Sequence, residues 1–233
     1  MGRMLQEAAA NDSTVRVVAT LTREFSASAL NQSDCLIDFT RPEATTAYID
    51  ACVAQRCNLV LGTTGLAATQ IAYLEQAATE IAIVFAPNMS LGVNVTMRLV
   101  QQAARVLGME ADIEVFEAHH KMKVDAPSGT ALMLGEAAAR ARGQTLDSAA
   151  VYERAGKSGP REPGTIGFSV VRAGDIIGDH TVTFALAGER IEITHRAASR
   201  STYALGAIRA AKFLADKRSG LFNMQDVLGL SGG

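Results

Sequence analysis

The sequence carries almost no net charge: 22 Lys and Arg stand against 24 Asp and Glu, a formal value of -2 over 233 residues. Without a basic field there is no electrostatic footprint for nucleic acid, and none is expected as a partner. Cysteine is scarce as well. Cys35, Cys52 and Cys57 are odd in number and form no C-x-x-C pair, which argues against a disulfide framework. Cys35 lies in an apolar run and Cys52 in a helical pattern, so buried free thiols in a reducing compartment are expected. Long apolar runs are missing: no segment approaches the roughly 20 residues that cross a bilayer, and the N-terminus has no secretion-signal pattern. A cytoplasmic protein without a membrane partner is expected. Internal repeats and low-complexity stretches are absent too. What remains is ordinary globular composition, 48% hydrophobic and 20% charged, long enough for one large domain or two small ones.

The first part of the chain alternates helices with apolar strands. Residues 1–10 read as a helix with no strand before it, VRVVATL (15–21) as a strand and DCLIDFT (34–40) as a second. Pro42 suits the first turn of a helix, and that pattern runs to about Gln55. NLVLGTTG (58–65) reads as a strand entering a glycine-bounded turn, a helix follows to about Thr79, and IAIVFAPN (81–88) is another strand. Continuous apolar strands between helices predict a parallel sheet covered on both faces, a doubly wound α/β domain.

Beyond Asn94 the pattern changes. Val95, Leu99, Ala103 and Val106 form a helical stripe closed by Gly108, and DIEVFE is a strand. A helix is expected from Ser128, as N-cap, to Arg142, with Gly143 as its stop. TIGFSVVRAG, HTVTFAL and RIEITHRA alternate with period two; Val182, Phe184 and Leu186 face one way, Thr181 and Thr183 the other. Such strands predict an open sheet in an α+β domain. A last helix runs from about Thr202 to Ala215.

The chemistry gathers in EVFEAHHKMKVDAPSGTAL (114–132), where two of only four histidines are adjacent after a strand. Histidine titrates near neutrality and can give or take a proton. Lys123 adds a cation, and Ser128, Gly129 and Thr130 place backbone N–H groups at a helix N-terminus, where an anion can sit. By themselves these residues also fit a solvated loop and a simple helix cap. A metal is not expected, because no third ligand clusters nearby and a lysine disfavours a cation.

The stretch from Glu114 to Ala131 resembles the signature of the dihydrodipicolinate reductase (4-hydroxy-tetrahydrodipicolinate reductase) family of lysine biosynthesis. The resemblance extends through IDFTRPEAT, GTTG, FAPNMSLGVNV, PGTIGFSVVRAGDIIGDHTV and SGLFNMQDVL, nearly everything after Asp34. It implies an oxidoreductase that reduces a cyclic, unsaturated dicarboxylate with NADPH or NADH, in the diaminopimelate route to lysine. It also implies a Rossmann-like cofactor domain joined to an α+β substrate and tetramerisation domain with an open mixed sheet, in a homotetramer. By resemblance His119 matches the general acid and Lys123 the second proton donor and charge stabiliser. His120 matches a substrate contact, and Gly129 with Thr130 the carboxylate cradle. Gly62, Thr63 and Thr64 resemble the cofactor-binding turn, and Ala86, Pro87, Asn88 and Met89 the segment over the nicotinamide.

Two departures stand beside the resemblance. Met1 matches the last residue of the family's glycine-rich phosphate fingerprint, and the strand and glycines that precede it there are not in this sequence; the stretch between Arg23 and Asp34 is also shorter. At the ribose position, just before Arg23, the neutral Thr22 replaces a common acid, so NADPH should be tolerated at least as well as NADH. The expected domains are residues 1–90 with 200–233 for the cofactor and 91–199 for the substrate and oligomer, with hinges at 87–91 and 198–202. The alternatives are a non-catalytic homologue with impaired cofactor binding and a dehydrogenase of another small carboxylate.

Overall fold

The computed structural model describes residues 1–21 and 25–230. Thr22 and Arg23, both matched to the ribose position, lie outside the described residues. In chain order the elements are α1 (Gly2–Ala10), β1 (Cys35–Asp38), α2 (Pro42–Gln55), β2 (Asn58–Leu61), α3 (Ala68–Ala77), β3 (Ala82–Phe85) and α4 (Leu91–Leu107). Then come β4 (Asp112–His119), α5 (Gly129–Ala141), α6 (Leu146–Ala149), β5 (Ala150–Val151), β6 (Ile166–Arg172), β7 (Gly178–Leu186) and β8 (Glu189–Ala197). The chain closes with α7 (Ser201–Phe213), β9 (Gly220–Phe222) and α8 (Met224–Val227). They fall into two compact units, one of Met1–Leu91 with Arg200–Gly233 and one of Gly92–Ser199.

The first unit holds a parallel sheet in the order β1-β2-β3-β9. Period-two alternation sends Leu59, Leu61 and Ile83 to one face, against Ile49 and Cys52 of α2 and Leu74 of α3. It sends Val60, Ala82 and Val84 to the other, against Ala207 and Ala210 of α7 with Leu214. Apolar residues fill most positions because both faces are covered, and this is why the strands read as apolar runs, with Asp38 and Asn58 at their ends. Asn58 ties the layers together: its side chain donates to the Leu214 carbonyl at 3.0 Å and accepts from the Ala82 N–H at 3.0 Å. Cys52 and Cys57 are buried free thiols, whereas Cys35 on β1 is half-buried. β9 was not foreseen; three residues are too short to show a pattern.

The strand expected at residues 15–21 is irregular, with Val17 and Val18 about half exposed. An extended apolar segment becomes a strand only beside a partner that takes its hydrogen bonds, and no described ladder includes this one.

In the second unit the order is β5-β6-β4-β7-β8, with β4 parallel to β6 and antiparallel to β7, an open mixed sheet. Its inner face presents Ile113, Val115, Ile166, Phe168, Val182 and Phe184 to Val100 and Ala104 of α4 and to Ala131, Leu134 and Ala138 of α5. Gly135 lets α5 approach closely, since a Cβ there would come within 2.6 Å of Phe168 Cζ. The stripe that marks α4 in the sequence is mostly turned outward: Val95, Leu99 and Val106 are exposed, while Val93, Val100 and Ala104 are buried. The helix is apolar on two sides, and spacing alone does not choose between them. No helix among the described residues is long and apolar enough to cross a membrane.

Candidate active site

Strand register assembles the site. In the second unit Glu117 on β4 lies between Val170 of β6 and His180 of β7, and His180 lies opposite His195 of β8. His119, two residues on and therefore on the same inner face, pairs with Arg172 of β6. The hydrophobic core fills this face up to Val115, and the polar group begins at the next inward position.

Glu117 is fully buried and every oxygen is used. Its Oε2 meets His119 Nδ1, and its Oε1 accepts from Arg172 Nη2 at 2.8 Å and from the Ser128 backbone N–H at 3.1 Å. Arg172 also donates to the Asp125 carbonyl at 2.6 Å and to its neighbour's carbonyl, Val171, at 2.8 Å. Burial pushes Glu117 upward, but the hydrogen bonds from Arg172 and His119 outweigh it and hold the carboxyl below its ordinary range. For His119 burial is the largest influence and lowers its proton affinity, offset only in part by the hydrogen bond to Glu117. His180 is pulled down to about 4, by burial first and the neighbouring His119 second, and so is neutral at neutral pH. It sits edge-on to His119, ring centroids 5.1 Å apart, with Nε2 3.1 Å from Ser128 Oγ.

Lys123 follows β4 in a loop held by the Lys123 N–H to His120 carbonyl bond at 3.1 Å. Its ammonium is paired with Asp125 at 2.7 and 2.8 Å. Asp125, to which the sequence alone gave no role, is held below its usual range chiefly by that lysine. His120 is half-buried just past the end of the same strand.

Ser128 is the N-cap of α5, its Oγ accepting from the Ala131 N–H at 3.2 Å. One correction applies to the expected cradle. The Ser128 N–H serves Glu117, so of the three residues only Gly129 and Thr130, the first two of the helix, remain for the expected cradle. Gly129 is exposed, and a Cβ there would meet nothing within 4 Å.

A second correction concerns metal ligation. Glu117, His119 and His180 do cluster, their ligand-type atoms lying within 4.8 Å of one another, so the third group missing from the local sequence arrives from β7. The arrangement fits a hydrogen-bonded network better than a cation site. Glu117 and His119 already bond each other, and the cations Arg172 and Lys123 stand beside them.

In the first unit, two of the segments matched to a cofactor, 62–64 and 86–89, stand where strands of a parallel sheet end, the usual place for a ligand. Gly62 and Thr63 follow β2; the Gly62 N–H donates to the Asp38 carbonyl at 2.8 Å, and Thr63 Oγ1 to Asp38 Oδ2 at 3.2 Å. Thr64 is exposed in the same turn, which Gly65 completes with φ of 79°. Asp38, buried at the end of β1 and also accepting from the Thr40 N–H at 2.7 Å, anchors this turn, a role that no motif in the sequence marks. Ala86, Pro87, Asn88 and Met89 follow β3, the Ala86 N–H bonding the Leu61 carbonyl at 3.2 Å. Pro87 is exposed, while Ala86, Asn88 and Met89 are buried. Met1 is the N-cap of α1, which packs on α7. Two turns thus stand at adjacent strand ends, one of them exposed at Thr64 and Gly65.

Two family models match the chain, described as dihydrodipicolinate reductase, N-terminus, over residues 1–89, and dihydrodipicolinate reductase, C-terminus, over residues 92–228. A 4-hydroxy-tetrahydrodipicolinate reductase of Burkholderia multivorans is 53% identical over 253 residues, covering 99% of this chain and 96% of that protein. One of Nitrosospira multiformis is 59% identical over 202 residues, covering 87% and 75%. Among solved structures, a dipicolinate-bound dihydrodipicolinate reductase from Paenisporosarcina sp. TG-14 shares the fold, with a TM-score of 0.80 at 20% identity over 97% of this chain and 94% of that one.

Proposed function

Since the chain belongs to the dihydrodipicolinate reductase family, we propose that it catalyses the nicotinamide-dependent reduction of 4-hydroxy-tetrahydrodipicolinate to tetrahydrodipicolinate in diaminopimelate and lysine biosynthesis. The observation that carries this reading is the buried Glu117–His119 pair beside Lys123 and the N-terminus of α5. It combines a proton donor, a cation and an anion cradle in one unit.

Each residue has a task in that reaction. A reduced nicotinamide, when bound, supplies the hydride, and the negative charge left on the substrate needs a proton. His119 gives it, with Nδ1 held by Glu117 and the opposite nitrogen available. Lys123 compensates charge and is the second donor. A substrate carboxylate lies against Gly129 and Thr130, with His120 as a further contact. In the first unit Gly62, Thr63, Thr64, Ala86, Pro87, Asn88 and Met89 hold the dinucleotide, together with Met1, Thr22 and Arg23; NADPH serves at least as well as NADH. The cofactor falls to residues 1–90 with 200–233, and substrate and oligomerisation to 91–199, a reading supported by the two compact units Met1–Leu91 with Arg200–Gly233 and Gly92–Ser199. The complete set of His119, His120 and Lys123 favours the enzyme over a non-catalytic homologue.

The cradle is tested by titrating pyridine-2,6-dicarboxylate. Gly129→Val should abolish measurable binding while the circular dichroism stays native, since the first atom of the new side chain meets no neighbour yet bars approach to the backbone. Lys123→Ala should weaken binding and flatten its decline with salt. Undiminished affinity in folded Gly129→Val removes the cradle from the mechanism.

A cytoplasmic homotetramer completes the proposal. The outer face of the second sheet supports an interface there: Phe116 and Val171 are exposed, beside Thr181 hydrogen-bonded to Thr194 at 2.9 Å. Sedimentation of the free protein as a monomer would contradict it.

A further inference from the structure

We infer that Glu117, clamped by Arg172, positions His119 and biases it toward the protonated form. The inference rests on the reductase reading, in which His119 is the proton donor. Glu117 is a positioning residue, since it acts only through His119.

The geometry is specific. A buried carboxylate is costly unless its oxygens are satisfied, and here three donors arrive from three places. Arg172 from β6 and the Ser128 N–H at the cap of α5 occupy Oε1, leaving Oε2 to His119 Nδ1. Nδ1 is therefore the hydrogen-bonded nitrogen, and Nε2 is the one that can present a proton. At the start of β7, Gly178 leaves room for it: a Cβ there would lie 3.0 Å from His119 Nε2.

The surrounding charges give the sign. His119 is faced by Glu117 on its own strand, Arg172 from β6, Lys123 with its partner Asp125 from the following loop, and neutral His180 from β7. Arg172 and Lys123 disfavour an imidazolium, while Glu117 favours it. Neutralising Glu117 should therefore lower the proton affinity of His119. Neutralising Arg172 should raise it, both by removing a neighbouring cation and by freeing the charge of Glu117.

The test is kcat/KM against pH for wild type, Glu117→Gln and Arg172→Gln, with folding checked by circular dichroism. The donor must carry its proton, so kcat/KM declines as pH rises past its pKa. Glu117→Gln should move that decline to lower pH and Arg172→Gln to higher pH, opposite movements that loss of packing does not produce. Well above the pKa the rate follows the protonated fraction, so a decline displaced by about one pH unit changes the rate there about tenfold. Long-range proton–nitrogen NMR of the wild type is the second measurement and needs no variant to fold. Neutral His119 should carry its proton on Nδ1, and a ring protonated on Nε2 overturns the inference. So do pH profiles of folded variants that coincide with wild type. Full activity of His119→Gln would instead remove the underlying reading, whatever Glu117 does.

Discussion

Replacing His119 with Gln should lower kcat by about 10²–10⁴-fold, the usual worth of a positioned general acid. Glutamine can still hydrogen-bond to Glu117 but has no proton to give. KM should change little, because the proton moves only in the transition state and the proposed carboxylate cradle is at Gly129 and Thr130. Steady-state kinetics with the purified variant give both numbers. Turnover at the wild-type level would show that the proton comes from another group, with Lys123 the next to test.

A large effect of a different kind is expected far from the proton donor. Gly206 of α7 packs so closely on the segment after β3 that a Cβ would overlap the Met89 carbonyl oxygen and lie 2.8 Å from its carbon. The obstacle is backbone, which cannot rotate aside as a side chain would. Gly206→Ala should cost at least the ~1–3 kcal/mol typical of overpacking, a large fraction of a total of roughly 5–15 kcal/mol. Relief by shifting Met89 would disturb the segment assigned to the nicotinamide, so NADPH affinity should fall as well. Urea denaturation and calorimetry read the two effects, and an unchanged midpoint would mean that α7 can move away at no cost.

The legibility of the fold followed the range over which each element is determined. α2 announced itself through Pro42, and α5 through Ser128 and Gly143, because caps and stops are local. β1, β2 and β3 were visible as apolar runs because both faces of their sheet are covered. Residues 15–21 look like a strand by composition and are not one, since pairing depends on a neighbour that composition does not supply. The apolar stripe identified α4 as a helix but not its buried side, because apolar residues lie on two of its faces. The site divides the same way. His119, Lys123 and Ser128 share one short stretch, and Glu117 was within reach through strand alternation, two residues from His119. Arg172, 55 residues from Glu117, and His180, 52 residues from Ser128, are brought in by the register of β6 and β7. Asp38 had only an aspartate in an apolar strand to mark it, and its task is evident once Thr63 is seen bonded to it.

The most direct measurement is the substrate-dependent loss of reduced-nicotinamide absorbance when the purified protein receives freshly generated 4-hydroxy-tetrahydrodipicolinate with NADPH, and in parallel with NADH. The expected result is catalytic oxidation of the cofactor, at least as fast with NADPH as with NADH, with tetrahydrodipicolinate formed in equal amount and the rate collapsing in His119→Gln. A folded protein that binds both compounds yet leaves the cofactor reduced would contradict the proposed reaction.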